Sequence, residues 1–403
     1  MTKPGDEVIA YPIAERDDLT IDPRQLALHE HGAFRAQLRF GQPVWIATRY
    51  EDVKAIYSDK RFVREMGVGR DVPRMWPVDI GQDTSIIAYM DPPRHTRIRR
   101  LALPAFSAAK TRSMRPWVQG LVDETLADLQ ADGGPADWVS RFAWPLPLRV
   151  ATGILGVTRE DALTFRGWID EVVGLHTEPA RRAEVYQLLV GYVRDRIAER
   201  REQPADDLLS VLVHARDEDD QFTEDELVNL SLALFLAGFE TTAAQLGSTL
   251  FVLLSRPDLW HELREDPDLL PNALEELWRW IPQFRHGMIN VEWASEDVEL
   301  SDGVIIPAGD PVTPEHQLAN RDEAAFPKAN EIDFHRSDPE PHLSLAWGAH
   351  RCLGAHLANL EIELTLRTLL ERAPDLALAT AADAVPWTTN RFLRSPEALP
   401  VRW

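Results

Sequence analysis

The chain has 403 residues, 44% of them hydrophobic, with 65 acidic against 43 basic side chains and a formal net charge of −22. That excess of negative charge argues against nucleic acid and against an anionic membrane surface as partners. A single cysteine excludes an internal disulfide framework and suits a reducing, cytoplasmic setting, and the opening MTKPGDEVIAYPIAERDD has no apolar run behind a basic start, so no secretory signal is expected.

In chain order, the apolar stretch PVWIATRY at 43–50 reads as a strand. DPPRHTRIRR at 91–100 starts a helix behind its prolines and sets His95 and Arg99 one turn apart, while Arg94, Arg97 and Arg100 make a basic patch on an acidic chain. Apolar residues at three- and four-residue spacing predict helices over 114–131, 160–173, 180–202, 224–255, 258–280 and 353–372. Short strands are expected within DVELSDGVIIPAG, 297–309, and in the C-terminal RSPEALPVRW. No repeat, low-complexity tract or Gly/Ser linker divides the sequence. The expectation is one mainly α domain over 1–403 with small antiparallel sheets, residues 1–20 forming an N-terminal arm. Segment 227–254 carries one charge, Glu240, and is long enough to cross a bilayer. A midplane carboxylate is costly there, and Asn229, Ser231, Gln245 and Ser248 add polar positions, so a helix through a soluble core is the better reading.

That helix needs a reason to bury an acid. In its AGFETT stretch, Ala237 and Gly238 lie about one turn before Thr241, so two minimal side chains open space beside a hydroxyl. Thr241 bonds the Ala237 carbonyl or releases it, and with Glu240 it makes an acid–alcohol pair suited to proton transfer. Further on, ALEELWRW places Glu276 and Arg279 three apart among Leu274, Leu277, Trp278 and Trp280, an architectural buried pair. The lone thiol, Cys352, sits in GAHRCLGAHLA just ahead of the 353–372 helix, whose free N–H groups and dipole favour a thiolate. Besides simple packing, such a thiolate serves three chemistries. A nucleophile pairs with His350 or His356, a zinc site recruits His356, and a haem iron takes the sulfur as its axial ligand. The last needs a tight loop, a thiolate-stabilising helix end, basic groups for propionates and a helix with a gap, and the chain has all four.

Together these stretches resemble the cytochrome P450 family, in particular its soluble bacterial members, from about residue 20 to the C-terminus. HLSLAWGAHRCLGA, 342–355, is similar to the haem-binding signature. The resemblance implies Cys352 as iron ligand and His350 as a propionate contact. It likewise implies His95 and Arg99 as propionate contacts, Glu276 and Arg279 as the Glu-x-x-Arg pair, and Glu240 and Thr241 as the catalytic pair. Ala237, Gly238 and Gly354 belong to the cofactor's surroundings, and ANRDEAAFPKANEIDFHR, 319–336, resembles the meander. The implied fold is the P450 fold, a large helical domain with small antiparallel β-sheets.

The implied activity is O2-dependent monooxygenation or oxidative coupling of a small-molecule substrate of natural-product type, with haem b (iron protoporphyrin IX) as cofactor. No flavin or nicotinamide motif is present, so electrons come from a separate ferredoxin and ferredoxin reductase, with Arg94, Arg97, Arg100 and Arg351 as a docking patch. By analogy the substrate pocket draws on Trp76, Ile86, Ile87, Ala233, Leu234, Gln245, Arg285, His286 and Phe392, with Arg391 adding polar recognition. A haem-binding sensor and a cysteine hydrolase are the readings from other classes. Three departures from the family pattern stand out. Leu345 and Ala346 replace the usual Phe-Gly, and Glu292 stands where a propionate-binding arginine is usual, with Arg285 or His286 as the substitute. Pro311 and Pro314 imply a distorted pocket wall.

Overall fold

The computed structural model describes residues 8–13, 16–75, 84–131, 133–158, 161–174, 176–217, 223–285, 290–336, 340–389 and 391–403; Trp76 and His286 lie outside them. The chain divides into two compact units, one comprising Met1–Thr84, Ala88–Asp91 and Glu275–Cys352, the other Ser85–Ile87, Pro92–Leu274 and Leu353–Trp403.

The first unit is built on a six-stranded sheet among the described residues, in the order Val8–Ala10, Ala33–Gln37, Val44–Ala47, Pro311–Pro314, Glu292–Ala294, Phe62–Val63. The sheet is mixed. Val8–Ala10 runs parallel to Ala33–Gln37, and Val44–Ala47 parallel to Pro311–Pro314, while the other pairings are antiparallel. The N-terminal arm therefore contributes an edge strand. Pro311 and Pro314 do not break the central strand, because they occupy its two ends. A missing N–H at a strand end removes less of the ladder than one in the middle, and Val312 stays in register with both Trp45 and Glu292. The strand expected within 297–309 is a hairpin of Val298–Glu299 and Ile305–Ile306. Trp45, Tyr50, Val53, Ile56, Phe62, Ile306, Phe326 and Leu343 form the core of this unit, covering one face of the sheet.

The second unit is helical. The predicted segments appear as Ala108–Gln130, Asp161–Val173, Pro179–Glu202 and Ala355–Arg372. Two expected long helices are each divided. Pro267 interrupts 258–280 into Pro257–Glu265 and Leu270–Trp280, since proline supplies no N–H to a helix interior, and Pro271 sits in the first turn of the second helix, where none is needed. The long apolar segment is Glu224–Gly238 followed by Glu240–Ser255, with Phe239 off helical geometry at φ −123°. It is long and apolar enough to cross a membrane, yet most of its apolar side chains, among them Leu227, Leu230, Phe235, Leu246, Leu250 and Leu253, are buried in this unit. The segment begins with a capping box: Thr223 accepts from the Glu226 N–H, and the Glu226 carboxylate accepts from the Thr223 N–H. Pro145–Leu155, which the periodicity did not mark, packs against both halves of the segment. A small sheet of Ala136–Asp137, Pro400–Arg402 and Ala377–Leu378 holds the C-terminus.

Candidate active site

In the first unit, Cys352 is exposed, which removes the packing reading for the thiol. Its N–H donates to the Leu345 carbonyl at 2.8 Å and closes the loop 345–352. Two residues in that loop take left-handed backbone, Gly348 at φ +65° and Ala346 at φ +55°. A methyl at Gly348 would lie 2.1 Å from the Tyr57 carbonyl oxygen, so only glycine fits there. At Ala346 a methyl is present, and the backbone carries the strain that a glycine would avoid. His350 is half-buried and Arg351 exposed.

Glu292 is buried and ion-paired to buried Arg64, with Nε to Oε1 at 2.8 Å and Nη2 to Oε1 at 2.6 Å. The antiparallel register explains the pair. Phe62 faces Ala294 and Val63 faces Trp293, and one further step sets Arg64 across from Glu292. Arg64 is fixed on its other side by Ala88, whose carbonyl accepts from Nη1, and its N–H donates to Asp91. Arg285, expected as a substitute for the usual arginine, is buried and ion-paired to Asp17.

Glu276 and Arg279 form a buried bidentate pair at 2.7 Å on both arms. The remaining donors of Arg279 go to the carbonyls of Asn320, Ala329 and Glu331, and Glu276 accepts from Arg336 and from the Asp333 N–H. The pair thus ties a helix to the irregular 320–336 segment and leaves little for a ligand.

In the second unit, the break at Phe239 separates a buried helix from a locally open face. Ala237 and Gly238 are exposed, and Ala233, Leu234 and Thr241 are half-buried. Gly238 faces Ala151, whose Cβ would stand 3.7 Å from a glycine-borne methyl. Thr241 Oγ1 donates to the Ala237 carbonyl at 2.9 Å. Glu240 is buried, and burial pushes its carboxyl above the usual range while the Arg391 guanidinium, 2.7 Å away, opposes that rise. Arg391 therefore faces an acid of the helix rather than standing free for polar recognition.

His95 is buried on the helix Arg94–Ala102, and Arg99, one turn on, is half-buried. Two arginines of the expected docking patch are engaged elsewhere: Arg94 and Arg97 both bind Glu226, at 3.1 and 2.7 Å. Burial alone would raise the Glu226 carboxyl, but hydrogen bonds from Arg97, the Thr223 N–H and Arg94 hold it at about 2. Arg100 and Arg351 remain exposed. Of the expected pocket residues, Ile86, Ile87 and Phe392 are half-buried, whereas Gln245 is fully buried with its amide directed at Thr249.

The cytochrome P450 family profile matches residues 154–373. The mycinamicin IV hydroxylase/epoxidase of Micromonospora griseorubida is 39% identical over 396 residues, covering 98% of this chain and 98% of its own. The nocardicin C N-oxygenase of Nocardia uniformis subsp. tsuyamanensis is 39% identical over 399 residues, also covering 98% of each chain. Among solved structures, cytochrome P450mel 107F1, described as having biaryl coupling reactivity, superposes with a TM-score of 0.93 at 38% identity, covering 98% of this chain and all of that one. The chain is an oxidoreductase of the haem-thiolate monooxygenase class, and it belongs to the cytochrome P450 family. Members of this class act on small molecules with O2 and electrons from redox partners.

The residues present fit the haem-thiolate cofactor. Cys352, the chain's single thiol, is exposed at the end of a loop closed by its own N–H on the Leu345 carbonyl. Among the described residues no cluster of three or more His, Cys, Asp or Glu side chains could hold a metal.

Proposed function

We propose that the protein oxidises a natural-product scaffold in the cytoplasm, with haem b held through Cys352 and electrons delivered by a separate ferredoxin and its reductase. The observation that carries this reading is the lone exposed cysteine, its loop closed by its own N–H on Leu345 and shaped by the left-handed Gly348. When bound, the haem supplies reductive activation of O2 and the oxidising power that attacks the substrate. The protein's part is positional and electrostatic. Cys352 supplies the thiolate, and the helix that begins at Ala355 favours its charged form. His95, Arg99 and His350 are the basic groups for the propionates.

Thr241 and Glu240 handle protons. The Thr241 hydroxyl is satisfied by the Ala237 carbonyl at rest, and its rotation releases a donor without unfolding the helix. Glu240 supplies the ionisable group. Ile86, Ile87, Ala233, Leu234 and Phe392, all half-buried, are the apolar contacts for the substrate. The substrate class follows the relatives, whose names describe hydroxylation or epoxidation of mycinamicin IV and N-oxygenation of nocardicin C.

The carbon monoxide difference spectrum of the reduced holoprotein tests this assignment. A red-shifted Soret band that is lost in Cys352→His, with haem retained, supports the thiolate. The same red-shifted band in the variant would overturn it, and a protein without haem that is instead inactivated by thiol reagents would return the cysteine to hydrolase chemistry.

A further inference from the structure

The polar surroundings of Glu240 come from three separate stretches of the second unit. Glu240 opens the helix Glu240–Ser255, Asp170 lies near the end of Asp161–Val173, and Arg391 belongs to the irregular segment before the C-terminal strand. Arg391 divides its guanidinium between the two acids, Nη1 to Glu240 Oε1 at 2.7 Å and Nη2 to Asp170 Oδ1 at 2.9 Å. Its centre lies 4.9 Å from the Trp144 ring, and Trp144 packs edge-on against Phe239, the residue at the helix break. Arg166 completes the cluster, 3.8 Å from the other oxygen of Asp170 and 4.6 Å from the same indole. Side-chain exposure grades outward, from 3% for Glu240 to 22% for Arg391 and 32% for Asp170.

Resting on the assignment of Glu240 and Thr241 as the acid–alcohol pair, we propose that Arg391 is a positioning residue for Glu240, shared with Asp170, and that this sharing sets the direction and the charge of the buried carboxyl. A planar guanidinium that bonds two carboxylates through separate nitrogens fixes both geometrically. Because the two acids compete for one cation, the hold on Glu240 depends on Asp170. Removing the cation leaves the buried Glu240 to Arg166, which already faces Asp170. Removing the Asp170 charge leaves Arg391 to Glu240 alone and takes away a repelling neighbour.

The two perturbations therefore move Glu240 in opposite directions, which a packing role does not do. Among the described residues, the charged groups acting on the carboxyl include Arg391, Asp170 and Arg166, and the competition is between these side chains.

The test is an infrared pH titration of the holoprotein, with the protonated-carboxyl band assigned by its absence in Glu240→Gln. In Arg391→Gln the midpoint is expected to rise by about 1–3 pH units, the usual effect of an adjacent opposite charge. Arg391→Lys recovers part of that shift, because charge is kept and the two-armed geometry is lost. Asp170→Asn shifts the midpoint down. Unmoved midpoints in both Arg391→Lys and Asp170→Asn, or shifts of the same sign in Arg391→Gln and Asp170→Asn, would overturn the proposal. Should Arg391→Gln not fold, the Lys and Asn variants decide. The underlying assignment is tested separately, from O2 uptake and hydrogen peroxide release with a surrogate ferredoxin, its reductase and NADPH. If neither Glu240→Gln nor Thr241→Ala alters peroxide release or the solvent isotope effect, the acid–alcohol pair fails, while the infrared midpoints still decide whether Arg391 governs Glu240.

Discussion

Replacing Arg64 with Met strands Glu292. The two side chains are 2% and 6% exposed, so the carboxylate gains almost no water when its partner is removed. Breaking a buried ion pair from one side costs about 3–5 kcal/mol, because an uncompensated charge remains in the interior. With an unfolding entropy of ~2.1 cal/mol/K per residue, a loss of that size in a 403-residue chain lowers Tm by about 4–6 °C. The Ala88 carbonyl also loses a donor, which places the cost toward the upper end.

The double variant Arg64→Met/Glu292→Leu removes both charges and is expected within about 1 kcal/mol of the parent, since apolar replacement of a buried pair is often neutral or stabilising. Urea unfolding of the holoprotein followed by far-UV circular dichroism, with thermal melts alongside, measures each arm. A single variant that loses less than about 1 kcal/mol, or a double variant no more stable than the single, would refute the buried-pair argument.

Ala346→Gly is expected to stabilise the holoprotein by about 1 kcal/mol, because φ +55° costs an alanine and not a glycine; a lower Tm would show that the methyl packs usefully. Gly348→Ala meets both the left-handed backbone and the Tyr57 carbonyl, so the prediction is lost haem content in the purified protein. Full haem occupancy would remove Gly348 from the loop's requirements. Glu226, held at about 2 against an ordinary 4.5, contributes stability above its ordinary range and loses it as pH falls from about 4.5 toward 2. Acid titration of helicity should therefore be shallower over that window in Glu226→Gln than in the parent, and superimposable slopes would contradict the linkage.

The elements that could be read from sequence are those governed by near neighbours. Helical periodicity located 160–173, 180–202 and 353–372 to within two residues, and 114–131 as the greater part of Ala108–Gln130, because the face of a helix is set by residues three and four apart. The cysteine loop, AGFETT and Glu276 with Arg279 were visible for the same reason: each is a constellation within one turn or one loop. Thr223 and Glu226 show how a cap is written locally. The gap at AGFETT was legible from Gly238 and Thr241, but its form, a break at Phe239 into two helices, was decided by packing.

What only tertiary structure decided is which charges meet. Glu292 looked like an anion in a place that usually holds a cation, and strand register answered it by bringing Arg64 across the ladder. Arg94 and Arg97 looked like a free basic patch until Glu226, far along the chain, took both. Arg391 looked like a substrate contact until it was found on Glu240 and Asp170. A charged side chain carries its chemistry in the sequence, but its partner is chosen by burial. Desolvation makes an unpaired charge costly inside the fold, and the folded chain alone determines which opposite charge is near enough to offset that cost.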